Sequence, residues 1–159
     1  MCPVTRAISP VLGTVLLALI TILLAGAVTA SVGVGSISQS GPNFASISAE
    51  ASPDGTVILT HEYGEAVDVT DVTVIVSVDG TRLSHQPPVP FFSAAGFAPG
   101  PTGPFNTAAD SNWTVGERAS FVISETNSPT PTAGDQITVE ILEGGTKVAV
   151  VETTVSPGG

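Results

Sequence analysis

The chain has 159 residues, of which 42% are hydrophobic, and a formal net charge of −10. That length allows one domain of ordinary size plus appendages, and the composition is too apolar and too rich in β-branched residues for a disordered chain. All fourteen acidic residues lie at Glu50 or beyond, opposed there only by Arg82, Arg118 and Lys147; so acidic a segment repels phosphate backbones and excludes nucleic acid as a natural partner.

Residues 31–159 carry a net charge of −11. One lysine against fourteen acids points to an acidic halophilic protein, because high salt screens carboxylate repulsion and keeps a dense negative surface soluble. An ordinary acidic surface is the alternative. Cys2 is the single cysteine, so no intramolecular disulfide is available, and no role is assigned to it.

Val11–Ala30 contains no Asp, Glu, Lys, Arg, His, Asn or Gln. As a helix those twenty residues would extend about 30 Å, close to the thickness of a bilayer's hydrocarbon. Ser9 is a natural N-cap and Pro10 a natural first helical residue. The expected element is a transmembrane helix over residues 8–30. Arg6 precedes it and the acids follow, which places residues 1–7 in the cytoplasm and the remainder outside. Val28-Thr29-Ala30 also resembles a secretion-signal cleavage site, but the apolar run is longer than the usual seven to fifteen residues of such a signal, which favours retention.

Within the run, Thr14, Ala18, Thr21, Ala25 and Thr29 step by four, three, four and four. At about 100° per residue they share one narrow face. Small side chains let helix backbones approach closely, so this face is expected to pack on other helices. Chance is the competing explanation, since Ala and Thr are common in such segments.

Arg6-Ala7-Ile8-Ser9-Pro10-Val11-Leu12-Gly13, followed by a Leu/Ile/Ala/Thr helix, resembles the N-terminus of archaeal type IV pilins, the haloarchaeal ones in particular. The resemblance implies a leader of residues 1–7, cut by a prepilin peptidase between Ala7 and Ile8. Arg6, Ala7, Ile8, Ser9, Pro10 and Gly13 would form the processed segment. It further implies that the retained helix bundles with other copies, under an assembly machinery, as the core of a filament. A second likeness lies in Leu59-Thr60-His61-Glu62-Tyr63-Gly64-Glu65-Ala66-Val67 with Asp71–Val74 and Asp79-Gly80, similar to a recurrent haloarchaeal pilin pattern. Tyr63 and Glu65 depart from it, standing where Gly and Asp are common, and the seven-residue leader is short.

Residues 31–42, rich in Gly and Ser, are expected to be a hinge linker. From residue 43 the period becomes two. Strands are expected over Phe44–Ala49, Thr56–Tyr63, Val72–Val78, Thr81–Ser84, Arg118–Ser124, Gln136–Glu143 and Lys147–Val155, with turns at Asp79-Gly80 and Gly144-Gly145. Such a series predicts an immunoglobulin-like β-sandwich over residues 43–159. Between residues 86 and 112 the period stops, and six prolines and Phe91, Phe92, Phe97 and Phe105 crowd together. Those aromatics either tuck over the open end of the sandwich or grip a surface from a functional loop. Trp113 is expected in the core. Asn112-Trp113-Thr114 fits the N-glycosylation sequon.

The chemistry of catalysis is missing from the pattern. His61 and Glu62 would face opposite sides of a strand, and two histidines without helical i,i+4 spacing do not make a zinc site; His61 is expected to hydrogen-bond structurally. Asp54, Asp79 and Asp135 sit beside glycine as turn residues, and no calcium-loop spacing occurs. The sequence therefore predicts no enzyme, no cofactor and no metal. It predicts an N-terminal transmembrane α-helix plus an all-β immunoglobulin-like sandwich head. The expected function is a structural pilus subunit at the cell membrane with its head outside, polymerising through the helix and with an adhesive role in view. The alternative is a singly anchored extracellular binding protein that never polymerises.

Overall fold

The computed structural model describes residues 9–31 and 44–157, with helix side chains described from Pro10 to Leu23. The chain divides into two compact units, Met1–Gly41 and Pro42–Gly159.

The first unit contains helix α1, Ser9–Ser31. The expectation of an N-terminal transmembrane α-helix plus an all-β immunoglobulin-like sandwich head is corrected here. Among the described residues no helix is long and apolar enough to cross a membrane. Among the described residues there is one α-helix, at the N-terminus, and a head built of β-sandwich-like sheets. The processing residues Arg6, Ala7 and Ile8 and the linker residues 32–42 lie outside the described residues.

The head contains β1 (Ala45–Ala51), β2 (Thr56–Gly64), β3 (Val67–Asp68), β4 (Val72–Val78), β5 (Thr81–Arg82), β6 (Asn112–Trp113), β7 (Arg118–Val122), β8 (Gln136–Glu143) and β9 (Thr146–Thr154). One sheet has the order β1-β2-β7, a second β5-β4-β8-β9, and β3 pairs with β6 as a short ribbon. All ladders within these sheets are antiparallel. Alternation decides which side chains go inside: Val72, Val74, Val76 and Val78 of β4 are buried opposite Ile137, Val139 and Ile141 of β8. Val57 and Leu59 of β2 and Ala119 and Phe121 of β7 join them in one hydrophobic core.

Both expected turns have the backbone that their residues favour. Asp79 and Gly80 have φ of 48° and 78°, and Gly144 and Gly145 have 56° and 84°. Two successive positive-φ residues match the right-handed twist of the flanking strands. Beside the β3–β6 ribbon, Asp68 accepts hydrogen bonds from the Thr70 hydroxyl at 2.7 Å and the Thr70 amide at 3.0 Å. Those bonds hold its carboxyl below its ordinary pKa, the hydroxyl contributing most.

The segment without periodicity folds onto the core. Phe91, Phe97 and Phe105 are buried, whereas Phe92 is 63% exposed. Their rings form a continuous row. Phe91 meets Phe97 at 5.8 Å, Phe97 meets Phe121 at 5.7 Å, Phe121 meets Phe105 at 6.3 Å, and Phe105 meets Trp113 at 5.3 Å. Edge-on and offset ring contacts at these separations add to the burial of apolar area. His61 completes the row against Trp113 at 5.7 Å. It is fully buried, with Nδ1 3.1 Å from the Trp113 carbonyl oxygen and Nε2 3.1 Å from that of Tyr63. Glu62, on the opposite face, is exposed and accepts a bond from the Ser48 hydroxyl.

The same segment covers sheet edges. Residues 97–102 run along β7, bridging Phe97 to Ile123 and Thr102 to Ser120. On the other sheet β5 is only two residues long, and the Gln86 side chain continues it, accepting from the Val76 amide at 2.6 Å and donating to the Val76 carbonyl at 3.1 Å. Buried Asn127 ties the loop down through bonds to the His85 amide and carbonyl and the Gly96 carbonyl. An uncovered edge is a template for unwanted pairing.

Two phenylalanines of this one segment should therefore behave oppositely. Phe105→Ala is expected to cost about 3–5 kcal/mol of stability, while Phe92→Ala stays within about 0.5 kcal/mol. Urea unfolding of the full chain, followed through the fluorescence of Trp113, measures both; equal effects would contradict the burial described.

Candidate functional site: the apolar helix and an open edge of the head

Helix formation over α1 needs little explanation. Leu and Ala are strong helix formers, and Pro10 lies in the first turn, where its missing N–H costs nothing. Gly13 faces open space. What is unusual is the surface. Val11, Leu12, Val15, Leu16, Leu17, Leu19, Ile20, Ile22 and Leu23 are all between 45% and 70% exposed. A helix that is apolar on every side is one that other protein or another apolar phase covers.

Of the expected packing face, Thr14, Ala18 and Thr21 lie among the described side chains, and Ala25 and Thr29 do not. The Thr14 hydroxyl donates to the Val11 carbonyl at 2.9 Å and the Thr21 hydroxyl to the Ala18 carbonyl at 2.8 Å. Each threonine thus spends its proton on its own helix. The face is small and nearly apolar, suited to close backbone approach rather than to donation across an interface. On the opposite side, roughly 180° away by the helical period, Leu12, Leu16, Leu19 and Leu23 form a stripe of large side chains. Of the processing residues, Ser9, Pro10 and Gly13 fall in the first turns of α1.

The head carries a second apolar surface that the sequence reading missed. β1 and β9 run alongside each other, closed at one end by the Ala51–Val155 bridge and the Ser156 amide bond to the Ala51 carbonyl at 3.0 Å. At the other end lies a groove of about 390 Å³, lined among others by Phe44, Ile47, Tyr63, Ala149 and Val150. Phe44 and Tyr63 are each 74% exposed. Gly64 makes the close approach here possible, because at φ 118° a Cβ would run into the Phe44 carbonyl oxygen. Two sequence signals pointed to this place: Tyr63 at a position where the resembled pattern has Gly, and the unbroken run Val148-Ala149-Val150-Val151 inside an otherwise alternating strand.

Asn112 is exposed on β6, its side-chain amide 3.4 Å from Asp110 Oδ1. Trp113 is buried beside it and donates from Nε1 to the Glu117 carbonyl at 3.0 Å. Among the described residues no group of three or more His, Cys, Asp or Glu is placed to hold a metal ion.

If the small face mediates close helix contact, enlarging it should weaken self-association of the full-length chain. Ala18→Phe is expected to reduce cross-linked oligomers about tenfold or more, and Ile22→Leu to leave them unchanged; an undiminished yield from Ala18→Phe would show that the face is not used.

No protein-family model matches the chain, and no curated protein does. Among solved structures the chain is similar to the archaeal flagellum of Methanospirillum hungatei strain JF1. The two share 19% sequence identity at a TM-score of 0.40, over 96% of this chain and 93% of that one.

Proposed function

We propose that this chain is a structural subunit of an archaeal surface filament of the type IV pilus kind, and not an enzyme. The observation that carries the proposal is the nearly charge-free α1, with nine large apolar side chains open on all sides between Val11 and Leu23. Burying one such side chain is worth about 1.5–3 kcal/mol. Even after the entropic cost of association, a bundle of copies offers a large favourable term, and the small face of Thr14, Ala18 and Thr21 lets the backbones come close enough to use it.

Under this reading a prepilin peptidase removes residues 1–7 between Ala7 and Ile8. The assembly machinery then stacks the helices into a core, and the heads form the outside of an extracellular filament. The negative heads stay hydrated and are held apart less strongly as salt screens them. Adhesion to a surface is a further part of the proposal, as is a glycan on the exposed Asn112 amide.

The mature N-terminus tests the reading. Mass spectrometry of protein taken from cells is expected to find Ile8 as the first residue, in material sheared from the surface as filaments. An N-terminus at Met1 or Ser31, or a sheared fraction without the protein, would overturn it. The peptide containing Asn112 reports the glycan in the same spectra.

A further inference from the structure

We propose that Ser128, on the exposed connection between β7 and β8, is the acceptor of an O-linked sugar. The proposal shares with the filament reading only the premise that the head lies outside the cell.

The first observation is in the sequence. From Ser124 to Thr132 the chain reads Ser-Glu-Thr-Asn-Ser-Pro-Thr-Pro-Thr, with a hydroxyl at every second position and prolines at 129 and 131. Serine and threonine interleaved with proline is the composition of O-glycosylated stalks. The fold then sorts the five hydroxyls. Ser124 Oγ accepts from the Thr126 amide at 3.3 Å and lies 3.0 Å from the Thr126 hydroxyl. The Thr130 hydroxyl donates to the Asn127 carbonyl at 3.2 Å, and the Thr132 hydroxyl donates to the Asp135 carboxylate at 2.8 Å. These are the local bonds by which Ser and Thr build turns, and they account for four of the five. The Ser128 hydroxyl bonds to no described residue, and Ser128 is exposed.

The backbone beneath that hydroxyl is fixed. The Ser128 carbonyl accepts from the Ser84 amide at 2.8 Å, and the Ser128 amide donates to Asn127 Oδ1 at 3.0 Å. Asn127 is itself buried. Pro129 and Pro131 have no N–H to give to a neighbouring strand. An enzyme that grips this turn therefore has little to order before it reaches the hydroxyl.

Charge selects the group. Residues 31–159 carry −11, and Glu125 and Asp135 lie close in sequence. A phosphate would add negative charge to a surface already self-repelling, whereas a neutral sugar adds none. In the transfer, Ser128 Oγ attacks the anomeric carbon of a sugar carried on a nucleotide or lipid phosphate. The bond from Oγ to that carbon forms. The bond from the carbon to the phosphate oxygen breaks, and its electron pair leaves with the phosphate carrier. The hydroxyl proton passes to a base of the glycosyltransferase.

Trypsin cuts after Arg118 and after Lys147 and nowhere between, so peptide 119–147 contains this turn and not Asn112. In protein sheared or extracted from the cell surface, mass spectrometry of that peptide is expected to find a mass raised by whole sugar units. Alkaline β-elimination should remove the increment, and electron-transfer fragmentation should place it on Ser128. Ser128→Ala should lose it with the unfolding midpoint unchanged, while Thr130→Val should keep it. A peptide at its bare sequence mass, a phosphate increment, an increment that survives β-elimination, or one placed on another residue would overturn the proposal. Those results leave the filament reading standing, since the Ile8 terminus and the sheared fraction decide that. Protein found only inside the cell would overturn both.

Discussion

An apolar helix has to be covered, and that requirement organises this chain. α1 contains no charge between Val11 and Leu23 and its side chains are open on every side. Water is a poor environment for such a surface, at roughly 25 cal/mol for each Å² left exposed. Neither the small face nor the leucine stripe has a partner among the described residues. In the proposed filament, self-association supplies the cover, with close helix contact at Thr14, Ala18 and Thr21. In that reading the helix itself drives polymerisation, because every added copy brings apolar surface that its neighbours cover.

The head meets the opposite problem, since it has to stay folded while carrying almost all of the charge. Lys147–Glu140 at 3.4 Å is the one ion pair among the described residues, so ion pairing contributes little. The row of rings from Phe91 through Phe97, Phe121, Phe105 and Trp113 to His61 binds an irregular segment to three strands. In doing so it carries the backbone past the edge of β7 and positions Gln86 against β4. Covering those edges removes templates for unwanted strand pairing.

Much of this was legible in the sequence, for physical reasons. Val72–Val78 and Gln136–Glu143 appear with the expected bounds because strict alternation and two-residue turns define a strand and its ends. The short ribbon of β3 and β6 was not legible, since two residues carry no period. Nor could the order of burial among four phenylalanines be read from a stretch without periodicity; it depends on which rings reach Phe121 and Trp113. Gln86 acts as a strand surrogate only because the fold brings its amide to Val76. The helix is the instructive failure: an uninterrupted apolar run predicted a membrane span, and the described helix does not meet the length and apolarity of one. The groove at Phe44, Tyr63 and Val150 left only two signals, the departure at Tyr63 and the run around Val150, because its residues come from three separate strands and their flanks.

The central claim is that α1 is buried among sister helices. A cryo-electron microscopy reconstruction of filaments sheared from cells tests it most directly. The account predicts a density core of packed helices, with Thr14, Ala18 and Thr21 at the points of closest approach and the β-rich heads outside. Filaments whose cores are built from the heads, or assemblies in which α1 stands apart from its neighbours, would contradict it.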